Sequence, residues 1–148
     1  MSVEENKAIF RRFIEEVWNK GNLTVADELF APNAFSPSAP KLPPGPEGVK
    51  IIATLFRSAF PDFHMTIDDL IAEEDKVVAR FTQGGTHKRE FMGIAPTGKQ
   101  VEFTEIGILR IASGKVVESW YETNMLGLMQ QLGAIPQSGQ AHPLRPKK

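Results

Sequence analysis

Apolar residues recur at helical spacing through the first sixty positions and at alternate positions afterwards. Phe10, Phe13, Ile14, Val17 and Trp18 form one stripe across residues 4–20, with Arg11, Arg12, Glu15 and Glu16 between them. That spacing predicts an amphipathic helix, which Gly21 stops. Thr24-Val-Ala-Asp27 has the form of a capping box with Asp in place of Glu or Gln. It opens a short second helix through Leu29 and Phe30, ended by Pro32. Residues 36–46 hold five prolines and one glycine, which speaks against helix or central strand there. An ordinary surface loop is the reading, with the rim or lid of a cavity as the alternative. Pro46 suits the first turn of a third helix, whose stripe is Val49, Ile52, Ala53, Phe56 and Phe60; Pro61 closes it.

From Phe63 the period becomes two. Phe63, Met65 and Ile67 alternate with His64, Thr66 and Asp68 in a strand reaching Ala72. Glu73–Lys76 reads as a turn, 77–86 as a second strand and 88–99 as a loop carrying three apolar side chains that need somewhere to pack. The longest strand spans 101–112. Ser113-Gly114 is a hairpin turn and 116–123 its partner strand. Met125, Leu128, Met129 and Leu132 stripe a terminal helix. Helices first and antiparallel strands afterwards give an α+β domain, with the helices on one face of a sheet. Residues 1–133 are expected to form this single domain and 134–148 a flexible tail.

Composition narrows the function. The chain has 148 residues, 41% of them hydrophobic, without a membrane-length apolar run. A formal net charge of −1 argues against a nucleic-acid-binding surface. There is no cysteine, so thiolate nucleophiles, thiolate metal sites and disulfides are excluded. Three histidines, His64, His87 and His142, are too scattered for a metal site. His64 falls on the polar side of its strand and His142 lies in the tail. No phosphate-binding glycine fingerprint and no serine nucleophile elbow occur, and no cofactor is expected. The opening Met-Ser-Val-Glu-Glu-Asn is acidic and polar rather than basic and then apolar, which makes the cytoplasm the expected location.

Several stretches, in this order and spacing, resemble the SnoaL-like polyketide cyclase (ester cyclase) family of the nuclear transport factor 2-like superfamily. They are Phe13-Ile-Glu-Glu-Val-Trp-Asn-Lys-Gly21, Asp27-Glu-Leu-Phe-Ala-Pro32, Pro44-Gly-Pro-Glu-Gly48, Ala59-Phe-Pro-Asp62, Gly85-Thr-His87, Pro96-Thr-Gly-Lys99 and the run from Gly114 to Gly133. The resemblance covers roughly residues 5–135, nearly the whole expected domain. It implies a cone-shaped α+β roll, in which N-terminal helices pack on a curved, mainly antiparallel sheet and enclose an apolar pocket. It also implies a homodimer through the outer sheet face, and a cofactor-free aldol ring closure on a small hydrophobic carbonyl compound.

The similar cyclases carry an acid four positions after a strand tryptophan. Counting from Trp120 lands on Asn124, an amide, and Ala34-Phe-Ser-Pro-Ser-Ala39 lacks the histidine often found there. Strand alternation places Trp120, Glu122 and Asn124 on one face, expected to be the pocket face. Trp120 would then be an aromatic wall, or simply core. Glu122 would be a base, or a solvated strand-end acid. Asn124 would polarise a ligand carbonyl, or cap the last helix.

His87 is the leading substitute base, its alternative being a surface histidine at a hairpin end. Phe13, Val17 and Trp18 are expected along the pocket walls. Arg80 and Arg110 read as outer-face residues that Glu102 or Glu105 could pair. Tyr121 lies on the parity opposite Asn124, which speaks against a Tyr–Asp isomerase site. The function read here is a small-ligand protein of cyclase type. The alternatives are a non-catalytic binding module of the same fold, or a ketosteroid isomerase or epoxide hydrolase type enzyme.

Overall fold

The computed structural model describes residues 2–136; the expected tail beyond 136 lies outside the described residues. Helix α1 (Val3–Arg12) continues as a π-helical segment, Phe13–Asn19. Helix α2 (Val25–Leu29), strand β1 (Phe30–Phe35) and helix α3 (Pro46–Ala59) follow. Strands β2 (His64–Glu73), β3 (Lys76–Thr86), β4 (Gln100–Ala112) and β5 (Lys115–Thr123) come next, and helix α4 (Met125–Leu132) ends the fold. The strands form one curved, open mixed sheet in the order β1-β5-β4-β3-β2. Its β2–β3, β3–β4 and β4–β5 pairs are antiparallel, while β1 runs parallel to β5.

Helix α1 starts on a true capping box. Ser2 Oγ accepts from the Glu5 amide at 3.1 Å and Glu5 Oε1 accepts from the Ser2 amide at 2.9 Å. The box expected at Thr24 does not form, since Thr24 turns its hydroxyl to Asn22 Oδ1 at 3.0 Å. The first helix widens at its C-terminal end: the amide of Lys20 reaches back five residues to Glu15 O at 3.0 Å. Gly21 follows at φ +74°, and a Cβ there would sit 2.8 Å from Arg57 Nε. Arg57 uses that space to donate to Trp18 O (2.6 Å) and Asn19 O (3.1 Å), satisfying carbonyls at the end of the first helix.

Strand β1 is a departure from the sequence reading, which ended a helix at Pro32 and placed no strand at 30–35. Pro32 is tolerated because β1 is an edge strand, where a missing donor breaks no ladder. The core lies between the helices and the inner sheet face. Phe10 meets Phe81 edge-on at 5.5 Å, and Phe13 meets Phe30 at 4.9 Å. A second aromatic group joins Trp18, Phe56, Phe60, Phe63 and Phe91, with Phe56 and Phe91 centred 5.2 Å apart. Phe91 anchors the 88–99 loop by this burial, whereas Met92 stays exposed.

Candidate functional site

A cavity of about 450 Å³ opens between the inner sheet face and the helices. Phe13, Ile14 and Trp18 and the α3 residues Val49, Ile52 and Phe56 wall one side. The segment 36–45 forms the rim through Ser36, Ser38, Leu42 and Pro43, so the proline-rich stretch is a cavity rim rather than an ordinary surface loop. Ser38 Oγ accepts from the Tyr121 amide at 2.8 Å and ties this rim to β5.

Almost all polar groups of the sheet wall gather in one place. Gln83 on β3, Glu105 on β4, and Ser119, Tyr121 and Thr123 on β5 all line the cavity. Thr123 Oγ1 donates to Glu105 Oε2 at 2.6 Å, across a directly opposed pair. Burial raises the Glu105 carboxyl above the ordinary glutamate value, and hydrogen bonds from Thr123 and Gln83 moderate the rise. Tyr121 is pushed up too, by burial first and by the Glu105 charge second. Its ring lies against Gly107, the residue directly across the ladder; a Cβ there would fall 2.8 Å from Tyr121 Cδ1. An acid held toward its neutral form beside a phenol, in an otherwise apolar cavity, can exchange a proton with carbon and hydrogen-bond the oxygen next to it.

The pocket-face expectation for Trp120, Glu122 and Asn124 is corrected. They share one face, as alternation requires, and it is the other face. Arg110 pairs with Glu118 while Ile111 pairs with Val116, so β5 carries one extra residue at Val117. This bulge turns Ser119, Tyr121 and Thr123 inward. Glu122 and Asn124 are exposed, Trp120 is half-buried, and none lines the cavity. Asn124 caps α4, its Oδ1 accepting from the Gly127 amide at 3.0 Å.

Of the expected wall residues, Phe13 and Trp18 line the cavity, while Val17 is sealed in the core. His87 is fully buried rather than a surface group, and it does not line the cavity. Its Nδ1 accepts from the Thr97 amide at 3.2 Å and lies 3.0 Å from Thr97 Oγ1, so the ring hydrogen sits on Nε2. Among the described residues Nε2 has no hydrogen-bond partner, and the ring packs on Phe60 at 5.5 Å. His87 therefore braces the base of the 88–99 loop.

Arg80 lies on the outer face, bonded to Asp69 at 2.7 Å, and Arg110 pairs with Glu118 at 3.0 Å, which leaves Glu105 to the cavity. Sequence reasoning missed Glu105, although a signal was there. Val101, Phe103, Leu109 and Ile111 share one parity of the longest strand, and that apolar face is interrupted only by Glu105 and Gly107. Among the described residues no three His, Asp or Glu side chains gather as a metal site, and no helix is long and apolar enough to cross a membrane.

No curated protein gave a match to this chain. Solved structures did. AclR from Streptomyces galilaeus, a proposed hydroxylase, is 34% identical with a TM-score of 0.81, the match covering 91% of this chain and 100% of that one. A proposed polyketide cyclase from Bacillus cereus is 35% identical with a TM-score of 0.77, over 88% of this chain and 82% of that one. IdmH from Streptomyces antibioticus, another proposed polyketide cyclase, is 31% identical with a TM-score of 0.74, over 86% and 98%. The model of the SnoaL-like polyketide cyclase family matches residues 8–132, and with this fold the chain belongs to that family.

Proposed function

We propose that the protein is a cofactor-independent acid–base catalyst acting on a small, mostly apolar carbonyl compound, with Glu105 as the base. The observation that carries this is Glu105 itself, a carboxyl raised by burial on the wall of an apolar cavity, oriented by Thr123 and flanked by Tyr121. The Glu105 carboxylate removes a C–H proton next to a ligand carbonyl, and the Tyr121 hydroxyl donates to the oxygen that becomes an enolate. Desolvation makes the carboxylate a stronger base than one in water. In a cyclase-type reaction the enolate carbon bonds to a second carbonyl carbon of the same ligand. The proton then returns from Glu105 to the new alkoxide, so no other reagent is consumed. Phe13, Trp18 and Phe56 hold the ligand by area and exclude water.

Two large apolar side chains exposed on the outer sheet face, Ile106 on β4 and Ile71 on β2, support a homodimer within this proposal.

Deuterium exchange into 2-tetralone, followed by NMR, tests the base. Wild type should speed exchange, Glu105→Gln should remove about 10²-fold or more of that rate, and Tyr121→Phe should lower it by a comparable factor. Full exchange by Glu105→Gln would overturn the assignment.

A further inference from the structure

Met92 stands where the backbone does not favour it. Phe91 and Ile94 exchange two hydrogen bonds, at 3.0 and 2.9 Å, and the chain reverses between them through Met92 at φ +49° and Gly93 at φ +84°. Two consecutive positive φ values make a two-residue turn of type I′, whose first central position favours Asn, Asp or Gly. Methionine gains nothing from that backbone, and the side chain is 59% exposed. A residue that breaks the local rule without repaying the fold points to use by a ligand.

The turn is also held in a fixed place. The Lys88 and Arg89 amides donate to Ala59 O at the end of α3, at 3.0 and 3.2 Å, and Phe91 is buried against Phe56 and Phe60. The Glu90 carboxylate accepts from the Gly93 amide and closes the turn. Met92 thereby lines the cavity, together with Phe35 at the end of β1 and Leu55 on α3. Phe35 and Leu55 are 48% and 38% exposed, whereas the lining residues Phe13 and Phe81 are buried. The three exposed side chains therefore mark the mouth, as an apolar surface continuous with the cavity wall. Glu105 pairs with Phe81 across the ladder, so the acid stands at the buried end.

We propose that Met92, Phe35 and Leu55 form an apolar collar that grips the distal end of the ligand, so that the carbonyl compounds taken by this cavity carry an alkyl or aryl extension reaching its mouth. The inference rests on the reading of Glu105 and Tyr121 as the site of the carbonyl. With the carbonyl at the buried acid, the extension runs outward and covers apolar side chains that otherwise face water. Met92 is the specificity-determining member. Its unbranched thioether adapts to extensions of different shape, while the clamped turn keeps it at the mouth. A charged distal group would lose this contact and its own hydration.

Two probes, 4-methylcyclohexanone and 4-heptylcyclohexanone, differ only in the reach of the alkyl extension, and calorimetry on the full chain compares them. Wild type should bind the heptyl ketone more tightly by about ten-fold or more, since each methylene taken from water is worth up to about four-fold. Met92→Asn removes the apolar tip and installs a residue that the turn favours. Its Tm should be unchanged or higher, its affinity for the heptyl ketone about five-fold lower, and its affinity for the methyl ketone within about two-fold of wild type. Met92→Leu should restore heptyl affinity to within about two-fold. A residue that merely held the turn would give the opposite pattern, with Tm lowered and both ketones weakened alike. That pattern, equal binding of the two ketones by wild type, or unchanged heptyl affinity in Met92→Asn would overturn the collar and leave Glu105 standing. Failure of wild type to bind either ketone would overturn the collar together with the apolar-carbonyl reading of the cavity. Glu105→Gln should lose 2-tetralone exchange and keep the heptyl preference; exchange that survives there beside an intact collar pattern would overturn the acid alone.

Discussion

Replacing Gly107 by alanine places a new carbon 2.8 Å from Tyr121 Cδ1 and 2.9 Å from Cε1, with Phe81 Cε2 at 3.5 Å on the other side. Ordinary carbon–carbon contact lies near 3.5–4.0 Å, so the phenol must move by most of an ångström. It cannot move toward the strand, and the open direction is the cavity. Overpacking of this kind costs about 1–3 kcal/mol. Removing a glycine from a strand returns ~0.4–1 kcal/mol by restricting the unfolded chain. Overpacking is the larger effect, leaving a net loss of about 1–2 kcal/mol. In a chain of 148 residues that corresponds to a Tm lower by roughly 3–8 °C.

Thermal unfolding and 2-tetralone exchange should fall together in Gly107→Ala, because the displaced ring carries the hydroxyl that faces the enolate. The control is Tyr121→Val, whose side chain ends before the point of collision. In that background Gly107→Ala should be neutral or slightly stabilising, giving a coupling of about 2 kcal/mol in a double-mutant cycle. Equal destabilisation in both backgrounds would refute the steric reasoning, as would stabilisation of the wild type by Gly107→Ala.

Glu105→Gln should change stability in a pH-dependent way. The folded-state pKa of Glu105 is raised, so the folded chain holds this proton more tightly than the unfolded chain. The stability it confers is fully present below the unfolded value and lost as pH rises through the folded one. The glutamine variant should thus match wild type near pH 4 and unfold at a higher temperature near pH 8; identical pH profiles would count against a buried acid. Asn124→Ala should cost about 1 kcal/mol through loss of the α4 cap, and Asn124→Asp should be almost silent in stability, since Asp caps as well as Asn. Both should leave 2-tetralone exchange unchanged, because the side chain lies off the cavity; a changed rate in the aspartate variant would return Asn124 to the site.

Much of the fold was legible because its elements obey one period each. The stripe from Phe10 to Trp18 and the stripe from Val49 to Phe60 both face the sheet, and the β2–β3 and β4–β5 hairpins follow their turns. Strand β1 was hidden for a physical reason. Its pairing is parallel to a strand some 85 positions later, as in Phe30 with Val116, and its proline conceals a β period that matters only on a sheet edge. The rim segment was equally opaque: proline content excludes regular structure, but whether a loop meets solvent or a cavity is decided by distant partners such as Tyr121.

The site itself was misread by one residue. Val116 and Tyr121 both point inward, although five positions separate them and regular alternation would set them on opposite faces. Val117 absorbs the difference as a bulge, and every side chain after it changes face. Counting on from Val116 therefore leads to Trp120, Glu122 and Asn124, whereas the folded strand brings Ser119, Tyr121 and Thr123 to the cavity. Strand β4 pairs with β5 on both sides of the bulge and keeps its own alternation from Val101 to Ile111, so its parity was the safer guide. Placed on that unbroken face, Glu105 stands opposite Thr123 and Gly107 opposite Tyr121. A strand without a bulge thus locates the acid, and its cross-strand pairs then say which residues of the bulged neighbour must face inward with it.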